Sequence, residues 1–151
     1  MFQKIVSGGQ TGADRAALDF ALVNGIDHGG WCPKGRRAED GPLDEMYLLD
    51  ETPRKDYRQR TEWNVRDSDA TLIVYNHELS GGSAYTAEMA QKHRKPFLAV
   101  KDGGRGMERD VREWLEEHKV KVLNVAGPRS STEPDIYAMT RGLLEAVYRS
   151  R

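Results

Sequence analysis

A single cysteine, Cys32, stands in the 151 residues, so no disulfide can close within the chain and a reducing compartment is expected. The four histidines, at positions 28, 77, 93 and 118, fit no zinc-ligand spacing, and no structural metal is expected. No apolar run approaches the roughly 18 residues of a membrane-spanning helix. The opening residues, MFQKIVSGG, read as a strand and not as a secretory leader, and a cytoplasmic protein is the expectation. An excess of positive charge is lacking too. Lys and Arg number 23 against 24 Asp and Glu, a formal charge of −1, so a nucleic acid duplex is a poor partner. No internal repeat or low-complexity tract interrupts the chain.

What is present is the composition of one solvated globular domain spanning 1–151, with 38 % hydrophobic and 31 % charged residues. A chain of this length buries roughly 70 % of its unfolded surface, enough for a core without staples.

Periodicity predicts a strand over 2–7 that breaks at Gly8-Gly9-Gln10-Thr11-Gly12 into a helix over about 13–23. A weak second strand follows near 26–31. Residues 33–52 then show no sustained period and are rich in Gly, Pro and charge, the pattern of a flap or lid loop. Thr52-Pro53 reads as a cap opening a polar helix to about residue 67. The run Ala70 to Tyr75 is continuously apolar, as a central parallel strand is. A helix over about 83–94, a strand over 97–100, a helix after Gly103-Gly104-Arg105-Gly106, a strand over 121–125 and a closing helix complete the chain. Strands alternating with helices predict a three-layer Rossmann-like α/β sandwich, with five mainly parallel strands in the order 2-1-3-4-5.

In such a sheet, ligands bind beyond the carboxyl ends of the strands. All five strand ends carry glycine, and two turns, Ser7 to Gly12 and Gly81-Gly82-Ser83, carry more than a tight turn needs. Free amides at the following helix N-termini suit an anion. Ser7, Gly8, Gly9, Gln10, Thr11, Gly12, Gly81, Gly82, Ser83, Thr86 and Gly127 are therefore candidate binding residues for a phosphorylated small molecule. Lys34, Gly35 and Arg36 join them after the second strand, and Arg15 beside the first turn is a candidate too. The turn lacks G-x-G-x-x-G, and no G-x-x-x-x-G-K-[ST] exists, which weakens ordinary NAD enzymes and Walker ATPases. On the polar helix, Tyr57, Arg60, Thr61, Asn64 and Ser68 recur at helical spacing. Arg60 and Asn64 offer donors to phosphate or a heterocycle edge, and are expected to await a ligand, so that Arg60→Ala would leave the unliganded fold as stable or more so. Cys32, between Trp31 and Pro33 with Lys34 close by, is a buried small hydrophobe, a redox thiol or a soft ligand to a metal carried by a cofactor. Asp14 could cap its helix or act as an acid, and Glu88 could be a general acid or base if it faced the crevice.

The strings SGGQTGADRAALDFA, GGWCPKGRRAEDGPL, ETPRKDYRQRTEWNVRDSDATLIVYN, LSGGSAYTAEMA and LNVAGPRSS resemble the molybdenum cofactor carrier family. That is a Rossmannoid group similar to the lysine-decarboxylase-like "lonely guy" phosphoribohydrolases of the LOG and SLOG type. The resemblance runs from about Ile5 to Leu144. It implies a molybdopterin-like or nucleotide ligand over the glycine turns, a cytoplasmic protein, and a homo-oligomer, dimer or tetramer. The phosphoribohydrolases carry GGxGTxxE; in Gly81 to Glu88 here the threonine stands one residue late and Glu88 only two beyond it. That departure favours a binding protein for molybdenum cofactor or a nucleotide, with a nucleotide phosphoribohydrolase using Glu88 or Asp14 as the alternative.

Overall fold

Lys4–Val6 forms β1, and the glycine turn after it delivers the chain into α1, Ala13–Asn24. In the computed structural model, which describes residues 1–149, α1 lies close on the sheet because the small Ala13, Ala16, Ala17 and Ala21 are among its buried residues. Gly25, with φ 66°, caps α1 in the left-handed conformation that glycine adopts without a Cβ penalty. β2 (Asp27–Gly29) and β3 (Trp31–Cys32) follow, separated by Gly30, where the expected single strand breaks. A Cβ at Gly30 would stand 2.6 Å from the Ser7 carbonyl oxygen, so only glycine passes there. β3 pairs in parallel with β4 (Asp50–Glu51) as a separate two-stranded sheet.

The polar helix, α2, covers Tyr57–Arg66 and starts later than Thr52-Pro53 suggests. Asp56 is its cap, accepting from the Arg58 and Gln59 amides, while the Thr52 hydroxyl is taken by the Cys32 and Arg54 carbonyls. β5 (Ala70–Val74), α3 (Gly81–Lys92), β6 (Phe97–Val100), α4 (Glu108–Glu117), β7 (Val122–Ala126) and α5 (Ile136–Arg149) follow the expected succession. The five strands of the main sheet are all parallel.

Their order is β2-β1-β7-β5-β6, which corrects the expected 2-1-3-4-5. The last strand does not end the sheet; it sits at the centre, between β1 and β5. Burial explains this, because Leu123, Asn124 and Val125 are all at most 2 % exposed and need neighbours on both edges and both faces. β6, whose Phe97, Leu98 and Ala99 are half-buried, takes the edge.

One face of the sheet, including Ile5, Leu72, Val74, Leu123 and Val125, packs on α1, α4 and α5 in the main core. The other is covered by α2 and α3 through a small cluster of Val65, Met89 and Ala90. Side chains alternate along a strand, so Thr71 and Asn124, paired in register, face α2 and α3; there the Asn124 amide donates to the Thr71 hydroxyl at 3.2 Å.

Residues 33–52, expected as a flap over the crevice, form a packed loop beside α1. Ala38, Leu43, Tyr47 and Leu49 are buried there with Leu18 and Cys32. The Arg36 guanidinium sits inside the loop, donating to the carbonyls of Leu43, Asp44, Tyr47 and Leu49. Arg15 clamps Asp40 with two hydrogen bonds of 2.9 and 3.0 Å. The irregular sequence thus reflects a loop organised around one half-buried cation rather than around a helical or strand period.

Candidate functional site

A cavity of about 450 Å3 opens at the carboxyl ends of β1, β7 and β5, on the side of the sheet covered by α2 and α3. Its size is that of a small-ligand pocket. Four segments build it: Gly8, Gln10 and Asp14 after β1; Tyr57, Arg58, Arg60, Thr61 and Asn64 of α2; Glu78, Ser80 to Ser83, Tyr85 and Thr86 at the start of α3; and Asn124 with Ala126 to Arg129, Thr132 and Glu133 after β7.

The sequence-predicted candidates divide into two groups. Gly8, Gln10, Asp14, Arg60, Asn64, Gly81, Gly82, Ser83, Thr86 and Gly127 meet at the cavity. Ser7, Gly9, Thr11, Gly12, Arg15, Lys34, Gly35 and Arg36 do not line it. Ser7 is fully buried, its hydroxyl donating to the Asp14 carbonyl and accepting from the Gly9 amide. Gly9 faces Leu43 and Leu49 of the packed loop. Thr11 joins Glu39 and the Ser130 amide, while Gly12 opens α1 with φ 83° against the Pro128 carbonyl. The Gly35 amide donates to Glu51 at 2.6 Å, and the Lys34 amide to the Arg54 carbonyl.

Two candidates for chemistry lie outside. Glu88 is exposed on α3 and borders no part of the cavity. Cys32 is fully buried in the apolar cluster under the loop, where desolvation pushes its thiol up, so it is held as the unreactive thiol and offers no thiolate.

Arg60 and Asn64 already have protein partners, which corrects the picture of a stripe waiting for a ligand. Arg60 Nη1 donates to Asp14 Oδ2 at 2.9 Å, with both side chains about nine-tenths buried. A Cβ at position 8 would collide with that guanidinium, so Gly8 makes room for it. Asn64 accepts from the Trp31 amide at 2.8 Å and donates to the Trp31 carbonyl at 3.0 Å, holding β3 as a strand would. Burial raises the Asp14 carboxyl above its ordinary range, although the Arg60 charge and hydrogen bond, the Gln10 amide and Arg15 pull it down.

Sequence reasoning passed over Arg58, Arg129, Asn124 and Glu133. Glu133 is 6 % exposed and accepts from the Asn76 and His77 amides, tying the end of β5 to the start of α5. Arg58 lies 4.7 Å from the Tyr85 ring and Arg129 5.6 Å from the Tyr57 ring. Neither makes an ion pair among the described residues. The cavity lining carries three guanidinium groups, Arg58, Arg60 and Arg129, and three carboxylates, Asp14, Glu78 and Glu133, so it has no net charge, and what it offers an anion is the donors of Arg58 and Arg129 themselves. Asn124 was visible as the one polar residue inside an apolar strand.

A parallel sheet with its crevice at the reversal of strand order defines a Rossmann-type α/β domain. Within that class the chain belongs to the circularly permutated YpsA SLOG family (cpYpsA), which it matches over residues 5–148. Permutation accounts for the strand order. If β7 and α5 are moved to the front and the strands renumbered, β2-β1-β7-β5-β6 becomes 3-2-1-4-5, the doubly wound order, and the β7 turn Gly127-Pro128-Arg129 becomes its first strand-to-helix turn. The chain is also similar to a solved structure from Syntrophus aciditrophicus SB, named "Putative molybdenum carrier protein". That likeness has 50 % identity and a TM-score of 0.91, and covers 97 % of this chain and 94 % of that one. No curated protein matches the chain at a significant level. Among the described residues no helix is long and apolar enough to cross a membrane.

Proposed function

We propose that the protein binds a phosphorylated small molecule, a molybdenum cofactor or a nucleotide, in this cavity without turning it over. The observation that carries the reading is the set of anion donors left without an acceptor in the cavity lining. Unpaired Arg58 and Arg129 stand with the N-terminus of α3, whose first-turn amides at Gly81 and Gly82 have no helical acceptor. The name of the Syntrophus aciditrophicus protein supports molybdenum cofactor as the ligand. The donor set fits the organic part of such a cofactor: guanidinium groups and amides for a phosphate, Gln10 and Asn124 for a ring. It does not fit the metal, since no cluster of three His, Cys, Asp or Glu exists among the described residues and Cys32 lies under the loop. Any molybdenum would be held by the cofactor's own atoms. A homo-oligomer, dimer or tetramer, and a cytoplasmic location are proposed on the family resemblance alone.

A hydrolase reading has one supporting observation, the raised carboxyl of Asp14 at the cavity wall, which suits a proton donor. Free base released from nucleoside monophosphates would favour it.

Gly82→Val tests the binding reading. A Cβ there meets no atom within 4 Å, so the fold should lose less than about 0.5 kcal/mol, while the branched side chain covers the α3 amides. Guanosine monophosphate should bind at least about tenfold more weakly in titration calorimetry, a loss near 1.4 kcal/mol. An unchanged titration curve would remove the α3 turn from the site.

A further inference from the structure

We infer that Gln10 reads the ring of the ligand, donating a hydrogen bond from Nε2 to an acceptor on a nitrogen heterocycle such as a purine or pterin. The inference rests on the binding reading above and names the part of the ligand that this wall takes.

Gln10 is 5 % exposed and borders the cavity. Its Oε1 accepts from the Thr11 amide at 3.0 Å and from the Glu39 amide at 2.8 Å. Two backbone donors on one atom settle which end of the carboxamide is oxygen, because the reversed amide would set N–H against N–H. Nε2 is thereby turned away from both amides, and it is buried with no hydrogen-bond partner. A buried donor without an acceptor costs free energy, which a ligand atom recovers once the carboxamide tilts to open Nε2, closed off here, to the cavity.

The neighbourhood decides what that acceptor belongs to. The Asp14 carboxylate lies on the same wall, its Oδ2 accepting from the Gln10 amide at 3.4 Å. Its charge is matched by Arg60 at 2.9 Å, so this wall holds no free cation for a phosphate, whereas Arg58, Arg129 and the α3 N-terminus offer donors without an ion-pair partner elsewhere in the cavity. The Gln10 wall therefore suits a neutral ring that carries an acceptor next to an N–H, one for Nε2 and one for the carboxylate. Purines and pterins both present such an edge.

The test compares guanosine monophosphate with ribose 5-phosphate, which has the phosphate and no ring, by calorimetry at neutral pH. Gln10→Glu keeps the Oε1 acceptor and the shape while replacing the donor with an oxygen; Gln10→Met keeps the length without donor or charge. Both should weaken guanosine monophosphate binding by about tenfold or more and leave ribose 5-phosphate within about twofold of the parent. Equal losses on both probes, unchanged guanosine monophosphate affinity, or a loss confined to the Glu variant would overturn the assignment. Failure of the parent protein to bind either probe would overturn the binding reading itself, and this inference with it.

Discussion

Arg60→Ala is expected to lose about 3–5 kcal/mol of folding stability at neutral pH, the cost of leaving one member of a buried ion pair uncompensated. Asp14 and Arg60 sit 2.9 Å apart with side chains 7 % and 11 % exposed, so solvent does little to soften the loss. On the scale of a chain this long, the melting temperature should fall by roughly 10 °C. The pH dependence follows from the direction of the Asp14 shift. Its folded carboxyl titrates above the ordinary value, so between the two values the folded state binds more protons than the unfolded state, and stability falls as pH rises through that window. Removing Arg60 takes away the charge that opposes desolvation and extends the window upward. The deficit of the variant should therefore be largest at neutral pH and shrink on acidification, as Asp14 takes up a proton. Denaturant melts of both proteins between pH 5 and 8 read this directly. A deficit that stays constant across that range contradicts the pairing, and Asp14→Asn in the same background should recover part of the loss.

This pair marks where reading along the chain stops. The helical spacing of Tyr57, Arg60, Thr61 and Asn64 is local, and it correctly brings these residues to the cavity. What Arg60 touches depends on a carboxylate 46 positions away in sequence, which no period within α2 encodes. The same distinction separates strand identity from strand order. The run Val122 to Ala126 is legible as a strand from its own residues, while its place between β1 and β5 depends on partners over a hundred and about fifty positions upstream. The glycine turns after β1, β5 and β7 were legible as strand ends because glycine admits backbone approaches that other residues block. The loop over residues 33–52 was not, since its order comes from one guanidinium reaching four scattered carbonyls. Asp56, the true cap of α2, was outcompeted in sequence by the more familiar Thr-Pro pair.

Gly127→Val should abolish the fold or cost about 3 kcal/mol or more, at the upper end for forcing atoms into a filled core. A Cβ at Gly127 would collide with the Val74 carbonyl oxygen and stand 2.6 Å from the Ala13 Cβ. The first obstacle is backbone of the adjacent central strand, and the second is the first residue of α1, so neither can swing aside as the end of a long side chain can. Gly127 is thus where β7, β5 and α1 close on one another at the floor of the cavity. Thermal melts of Gly127→Val beside Gly82→Val make the contrast sharp, because the second glycine faces open space. A Gly127→Val protein that melts within about 2 °C of the parent would show that this junction is looser than the contacts require.

The central claim is that a phosphorylated heterocycle occupies the cavity between α2, α3 and the turn after β7. Backbone amide resonances of the isotopically labelled protein, followed while guanosine monophosphate is added, test it most directly. The account predicts saturable shifts at Gly81, Gly82, Gly127 and Arg129, with a shift of the Gln10 side-chain amide, while residues 33–52 stay in place. Shifts confined to other surfaces, or none at saturating nucleotide, would contradict it.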